Sequence, residues 1–436
     1  MIVMKFGGSS VKDATRIKKA ADVIKSRLDK DPIVVVSALG GITDMLIETS
    51  EKAFQRQDTS ALIEEIKNRH HSTLKDLGLD VTLVDEDLKE FEELIQRIAT
   101  IREVTLETMD HVQSFGEKMS SKIVAAHLIN TGIEAEAHNA YDVGFISNDD
   151  YGNAEPLEET EAQLREHLSN KKAVPVITGF IAKNKAGKIT TLGRGGSDYT
   201  AAIIGVAVGV EEIQIWSDVN GIMTTDPKIV KDAKTIPQIS FEEASELAFF
   251  GAKVLHPKTI IPAVEKNIPV RVLNTYEPDN RGTVIMKEVE KKDIRAIACK
   301  KNNILMNISS LRMLNAHGFL ARLFDVFKKY EKSVDMIATS EVSVSLTLDN
   351  GNNLDKIIKE LEKIAEVTVY ENKTIICVVG NGMHQSKGII GKVFKALKGI
   401  RVEMVSAGAS EINISFIVND EDADKAMQML HKKYFE

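Results

Sequence analysis

Short, uninterrupted apolar runs punctuate the first two-thirds of the chain. Ile2-Val3-Met4, Ile33-Val34-Val35-Val36, Val174 to Ile177, Ile213 to Trp216 and Val270 to Leu273 are the clearest. Runs of this kind suit strands buried on both faces of a parallel sheet. Between them apolar residues recur at helical spacing, as at Val11, Ile17, Ala20, Ala21 and Ile24. The alternation predicts a layered α/β/α domain with a mostly parallel sheet. From Asp44 to Asn130 the pattern changes, with Leu62, Ile66, Leu94, Ile98 and Ile101 at helical spacing in a Lys- and Glu-rich background. A helical insertion is expected there, its charged faces and the pair His70-His71 turned to solvent.

The last third repeats itself. Gly318-Phe319-Leu320-Ala321-Arg322-Leu323-Phe324 aligns with Gly388-Ile389-Ile390-Gly391-Lys392-Val393-Phe394, and Val334-Asp335-Met336-Ile337 with Val402-Glu403-Met404-Val405. Ser340 to Leu346 aligns in the same way with Ser410 to Phe416. Val342, Val344, Leu346 and Leu348 alternate with polar residues, as in a half-buried strand, and Leu354, Ile357, Ile358, Leu361 and Ile364 then keep helical spacing. Each copy is expected to run strand–helix–strand–strand–helix–strand. Two such units could form a dimerisation scaffold or leave crevices for a small ligand. The charge run Lys287 to Asp293 separates them from the first part.

Composition narrows the function classes. A chain of 436 residues calls for two or three domains, and 43% hydrophobic with 28% charged residues is that of a globular protein. A formal net charge of -8 argues against sequence-independent binding to nucleic acid or anionic membranes, which rewards clustered cations. Cys299 and Cys377 sit in apolar, strand-like settings. Two buried, reduced thiols and a cytoplasmic location are expected, with no disulfide framework and no protein-built metal site. No apolar run is long enough to cross a bilayer.

Candidate chemistry gathers where strands end. Lys5-Phe6-Gly7-Gly8-Ser9-Ser10 follows the first strand and leads into a helical pattern. Glycines admit an anion close to the backbone, the first helical N–H groups lack internal partners, and a lysine stands at the mouth. Taken alone, this is equally a tight βα turn. Ser37-Ala38-Leu39-Gly40-Gly41-Ile42-Thr43 follows the second strand, so it should emerge on the same rim. The strongest motif is Gly193-Arg194-Gly195-Gly196-Ser197-Asp198-Tyr199-Thr200-Ala201. Its glycines can form an anion nest, Arg194 offers a planar fork, and Ser197 and Asp198 are placed to cap a helix from Thr200 to Val208. Asp198 would oppose a phosphate unless paired with a cation such as Lys5 or Mg²⁺. Trp216 to Pro227 also follows a strand and suits either a purine and ribose or a surface hairpin. His256 reads as structural.

Together these motifs, with Gly251-Ala252-Lys253-Val254-Leu255-His256-Pro257, resemble those of the aspartokinases of the amino acid kinase superfamily. The doubled C-terminal unit resembles that family's tandem ACT domains. Gly318-Phe319-Leu320, Ser333-Val334-Asp335 and Thr339 to Val344 resemble the lysine-inhibited branch. The resemblance implies a kinase domain over residues 1–285 with its helical insertion at about 44–130. Two ferredoxin-like βαββαβ (ACT) regulatory units would follow at 295–370 and 371–436, with no room for a fused homoserine dehydrogenase.

The resemblance also implies roles. Lys5, with Gly7, Gly8, Ser9, Gly195 and Gly196, would hold the transferring phosphate, and Asp198 would orient Lys5. Ser37, Thr43, Glu117, Arg194 and Ser197 would serve L-aspartate, Glu117 taking the amino group and Arg194 the α-carboxylate. Ser217, Asp218, Met223, Lys228 and Lys253 would serve ATP, with Mg²⁺ riding on its phosphates. Ser217, Met223 and Lys228 depart from the family's usual threonine, tyrosine and arginine. Met313, Gly318, Phe319, Leu320, Asp335, Thr339, Ser340, Glu341 and Val342 would receive L-lysine as inhibitor, in a homo-oligomer, dimer or tetramer, formed through the ACT units. The product would be 4-phospho-L-aspartate, the first intermediate toward lysine, threonine and methionine. The alternatives are a kinase of the same superfamily acting on glutamate or N-acetylglutamate, and a non-catalytic amino-acid sensor.

Overall fold

The computed structural model of the protein describes residues 1–169, 171–251, 255–313, 317–349 and 351–436. Its chain divides into two compact units: Met1–Ile222, Pro237–Phe241 and Val254–Glu288 form the first, and Met223–Ile236, Glu242–Lys253 and Val289–Glu436 the second.

The first unit is built on an eight-stranded sheet. In chain order its strands are β1 (Ile2–Phe6), β2 (Pro32–Val36), β3 (Ala135–His138), then, past β4 (Ile146–Ser147), β5 (Val174–Thr178). After β6 (Ile181–Asn184) and β7 (Ile189–Thr191) come β8 (Glu212–Ser217), β9 (Gln238–Ser240), β10 (Val270–Asn274) and β11 (Thr283–Met286). Their spatial order is β3-β5-β2-β1-β8-β10-β11-β9, while β4, β6 and β7 form a small sheet of their own. Only the β10–β11 pair is antiparallel in the large sheet, so the apolar runs lie where a mostly parallel sheet needs them.

Alternation along β1 decides what its side chains meet. Ile2, Met4 and Phe6 join one core with Val34, Val36 and Trp216, covered by the helices α1 (Ala14–Lys25), α2 (Ile42–Phe54), α3 (Ser60–Asp76), α4 (Asp85–Ile101) and α5 (Leu106–Asn130). Val3 and Lys5 therefore point to the other face. After α6 (Glu159–Leu168), α7 (Gly196–Val208) lies on that face. Gly205 permits its close approach, since a Cβ there would stand 2.7 Å from Ile213 Cδ1.

Three expectations change. His70 is fully buried in the insertion, not solvent-facing, and its Nδ1–H donates to the Ile66 carbonyl at 2.7 Å. Burial lowers its pKa to about 4. Trp216 offers no surface to a purine; it is fully buried, stacked on Phe6. The helix of the glycine motif begins at Gly196, with Gly195 as N-cap at φ +74°, so Ser197 and Asp198 lie inside its first turn. A side chain at residue 195 would meet Thr259 Cγ2 at 2.8 Å, which favours glycine over a capping serine.

After α8 (Phe241–Phe249), which lies mostly in the second unit, and α9 (Ile261–Glu265) of the first, the chain builds the second unit's continuous six-stranded antiparallel sheet. Its members are β12 (Ala296–Ser309), β13 (Ile337–Thr339), β14 (Ser343–Leu348), β15 (Glu366–Val379), β16 (Met404–Ala407) and β17 (Asn413–Asn419), in the order β13-β14-β12-β15-β17-β16. Helices α10 (Phe319–Lys329) and α11 (Leu354–Leu361) belong to the first repeat, α12 (Ile389–Ala396) and α13 (Asp420–Phe435) to the second. The closing-strand place of the second copy is taken from β12. Residues Ala296 to Lys300 of β12 fill that place by pairing with Ile375 to Val379, while Leu305 to Ser309 serve the first copy against Glu366 to Tyr370. Each copy keeps its own core, one around Phe319, Leu323 and Leu346 and the other around Ile389, Val393 and Phe416. Cys377 is buried, whereas Cys299 is only partly so, and both thiols are free.

Candidate functional site

Parallel strands deliver their loops to one rim, and the first unit uses this at β1, β2 and β8. The Gly7 N–H donates to the Trp216 carbonyl at 3.2 Å, and Ser10 Oγ reaches the same carbonyl and Thr275 Oγ1 at 3.3 and 2.8 Å. The turn after β1 is thus fixed to β8. Its other side presses on the loop after β2. A Cβ on Gly8 would stand 3.1 Å from the Ala38 carbonyl, and one on Gly40 would meet the Gly8 carbonyl at 2.9 Å. Backbone meets backbone at both places, so a side chain at residue 40 would force a shift and one at residue 8 would be tight. Among the described residues the N–H groups of Gly8 and Ser9 have no backbone acceptor, which leaves them for an anion.

Lys5 leaves the last turn-facing position of β1 toward α7, where its ammonium stands 2.6 Å from Asp198 Oδ1, both side chains largely buried. The approach is short but lies outside hydrogen-bonding angles, as Oδ1 has no such partner. Next to Asp198, Ser197 Oγ accepts from Ser37 Oγ at 3.0 Å, tying the glycine motif to the loop after β2. Gly179 makes room for this, since a Cβ there would lie 2.5 Å from Ser197 Cβ. Following Ser37, the Ala38 N–H donates to Glu117 Oε1 at 3.1 Å. A Cβ on Gly116 would stand 2.6 Å from Ala38 Cβ, so α5 and this loop touch where Glu117 is held.

Glu117 is the most perturbed acid of the site. It is 3% exposed and its Oε2 has no partner among the described residues. Burial pushes its pKa up to about 8 against the pull of the Ala38 N–H and of the Lys5 charge. A buried carboxyl with one free oxygen suits an incoming ammonium group. Thr43 is half-buried at the start of α2, and Arg194 is exposed between Gly193 and Gly195, both in left-handed conformations at φ +72° and +74°.

Of the nucleotide candidates, Ser217 and Asp218 end β8 on this rim, Ser217 with a buried, unpartnered Oγ and Asp218 exposed. Met223 and Lys228 belong to the second unit, where Met223 bridges Thr235 and Lys228 is exposed. Lys253 lies outside the described residues. Among the described residues no three His, Cys, Asp or Glu side chains converge as a metal site.

Two contributors escape sequence reasoning. Arg69 of α3 reaches back to donate to the Gly40 carbonyl at 2.6 Å, and Thr275 steadies Ser10. Each acts across a long stretch of chain, so no local pattern marks it.

In the second unit the proposed effector residues fall into two groups. Gly318, at φ +79°, caps α10, where Phe319 is buried and Leu320 is 42% exposed. Met313 follows Ser310, whose N–H donates to the Val342 carbonyl at 2.9 Å, and Thr339, Ser340 and Glu341 are exposed. Asp335 is instead paired with Lys300 at 2.6 Å. The counterparts of the first group in the second repeat converge: Met383, Gly388, Ile389, Ile390, Ser410 and Glu411 line one cavity of about 250 Å³.

Residues 1–274 match the amino acid kinase family, and residues 376–434 match an ACT domain. The chain is 45% identical to aspartokinase 1, chloroplastic, of Arabidopsis thaliana, over all of this chain and 80% of that protein. It is 36% identical to lysine-sensitive aspartokinase 3 of Escherichia coli, over all of this chain and 99% of that protein. Crystal structures of E. coli aspartokinase III superpose over the full length of both chains at 35% identity. The TM-score is 0.84 for the complex with lysine and aspartate (T-state) and 0.80 for that with aspartate and ADP (R-state). No helix among the described residues is long and apolar enough to cross a membrane.

Proposed function

The chain belongs to the amino acid kinase family, and within it to the aspartokinases, and from that premise we propose how its own residues carry out phosphoryl transfer from ATP to the side-chain carboxylate of L-aspartate. The observation that carries the reading is the linked set of Lys5–Asp198, Ser37–Ser197 and Ala38–Glu117 beside the glycine turn at Gly7 and Gly8.

An aspartate side chain titrates near 4, so the attacking carboxylate is ionised at neutral pH and needs no general base. The difficulty is to bring two anions together and to stabilise a loose phosphoryl-transfer transition state, which is a matter of positioning and electrostatics. Lys5 supplies a fixed positive charge at the end of β1, and Asp198 holds that ammonium toward α7. The free N–H groups of Gly8 and Ser9 add short-range donors for the phosphate. Glu117 receives the substrate ammonium on Oε2, and Arg194 receives the α-carboxylate. Thr43, Ser37 and Ser197 line the acceptor side. Ser217 and Asp218 take the nucleotide, with Met223, Lys228 and Lys253 contributing from farther along the chain.

Magnesium is part of this proposal. The donor set suits an ion carried by the nucleotide's phosphates with at most one or two carboxylates, and such an ion would neutralise β- and γ-phosphate charge.

Feedback inhibition by L-lysine through the first repeat, at Met313, Gly318 to Leu320, Asp335 and Thr339 to Val342, belongs to the same proposal, together with assembly through the ACT units and a cytoplasmic location. The lysine-sensitive bacterial relative and the cavity formed by the equivalent residues of the second repeat support the effector reading. Lysine must bind more tightly to a less active state, since equal affinity shifts nothing.

Initial rates of ADP formation with L-aspartate, L-glutamate and N-acetyl-L-aspartate test the acceptor assignment. L-Aspartate alone is expected to support turnover. Comparable rates with the N-acetyl compound would remove the role given to Glu117, because an amide carries no ammonium.

A further inference from the structure

The second unit holds a cavity that shares only Asp335 with the effector residues of the first repeat. It has a volume of about 410 Å³ and lies where the C-terminal part of α8 meets the edges of the ACT sheet, around Asp335 to Ile337 and Ser406 to Ser415. Edge strands β13 and β16 approach each other there. Along β17, Ile414, Phe416 and Val418 enter the helix-covered core. Asn413 and Ser415 must then face the opposite side, into the cavity.

Its walls combine two kinds of surface. Phe249 and Ile337 are large apolar side chains left 51% and 38% exposed. Against them stand two carboxylates and two hydroxyls. Glu246 has one oxygen held by Asn413 Nδ2 at 2.6 Å, and no cationic side chain pairs with it among the described residues. Asp335 is neutralised by Lys300 at 2.6 Å. Ser415 is 2% exposed, its Oγ meeting only the weak hydrogen-bonding thiol of Cys377 on the neighbouring strand; Ser245 Oγ is buried and unpartnered. A buried hydroxyl without a partner is costly, and a polar ligand would relieve it. Among the described residues no lysine, arginine or histidine lines the cavity, although Lys300 stands at its rim, paired with Asp335 and 5.7 Å from the centre of the Phe249 ring, so Glu246 is the lining carboxylate left without a cationic partner among them.

We propose that this cavity is a binding site for a small organic cation, a primary ammonium on a short apolar body, with Glu246 as its charge partner and Ser245 and Ser415 as additional hydrogen-bond groups. Phe249 and Ile337 would cover the apolar part. Asp335 also appears among the residues proposed for lysine. The glycine turn proposed to take an amino acid's carboxylate, at Gly318 to Leu320, is absent from this wall, which marks the ligand as an amine without a carboxylate. The site does not rest on the aspartate kinase reading, and binding measured directly separates the two.

The test is calorimetric titration of the full chain with 2-phenylethylamine, 2-phenylethanol and 3-phenylpropanoate. The amine is expected to bind, and the alcohol and the carboxylate to bind at least about tenfold more weakly. Glu246→Gln keeps the acceptor for Asn413 but removes the charge, and should weaken the amine by about ten- to a hundredfold, the usual worth of a charge-assisted hydrogen bond. Phe249→Ala, at an exposed position, should also weaken it without affecting folding, and decides the matter if Glu246→Gln does not fold. Absence of amine binding, equal binding of the three probes, or amine affinity unchanged in the folded variants overturns the proposal.

Discussion

Glu117→Gln removes the one acid of the site whose state should change when substrate arrives. In the empty protein its pKa is raised from the ordinary 4.5 to about 8 by burial. At about 1.4 kcal/mol per pH unit, this corresponds to roughly 5 kcal/mol disfavouring the buried carboxylate, an upper bound. The sign follows from linkage. A folded-state pKa above the unfolded one contributes stability that is fully present below about pH 4.5 and is lost as pH rises through 8. Glu117 is therefore mostly protonated at pH 7 in the empty protein. The ammonium of aspartate at Oε2 would favour the ionised form, so substrate binding should expel a proton. Calorimetric titration with L-aspartate at pH 7, in two buffers of different ionisation enthalpy, should show release of about one proton. In Glu117→Gln that release should vanish, and the KM for aspartate should rise by about ten- to a hundredfold, as expected when a neutral amide replaces a charged partner. The variant should also be more stable than the parent above pH 8 and similar to it near pH 5. Equal proton release in both proteins, or an unchanged KM in the variant, would refute the reasoning.

Lys5→Ala should lower kcat by about 10²–10³, the scale for loss of one preorganised donor, with a much smaller effect on either KM; near-normal kcat would remove Lys5 from the chemistry. Arg194→Ala, at an exposed position, should weaken aspartate saturation while leaving the KM for ATP close to the parent value, and steady-state kinetics at varied aspartate decide it. L-Lysine at millimolar concentration should raise the aspartate concentration needed for half-maximal rate, and Glu341→Gln should blunt that effect with basal activity intact. Identical lysine response in this variant would take Glu341 out of the effector site.

Much of the kinase-like layer was readable from sequence because its information is local. Apolar runs such as Ile33 to Val36 announce buried parallel strands, and glycines directly after them announce a turn that something must approach closely. What stayed hidden depends on distant packing. His70 looks like any residue of a charged helix until neighbouring helices enclose it. Trp216 looks available to a base until the pairing of β8 with β1 stacks it on Phe6. The N-cap moved to Gly195 because Thr259, far along the chain, occupies the space a side chain would need. The repeat was visible in its aligned residues, but β12 serves both copies through a pairing of two long strands, which no period within one copy reveals. Glu117 was named from family resemblance alone, since its burial and its hydrogen bond from the Ala38 N–H depend on how α5 packs on the loop after β2.

Trapping the product tests the central claim most directly. Incubation of the protein with ATP, Mg²⁺ and hydroxylamine should convert an acyl phosphate into a hydroxamate. The account predicts hydroxamate and ADP in equal amounts with L-aspartate, and none with L-glutamate or without an acceptor. ADP without hydroxamate, or hydroxamate from glutamate at a comparable rate, would contradict it.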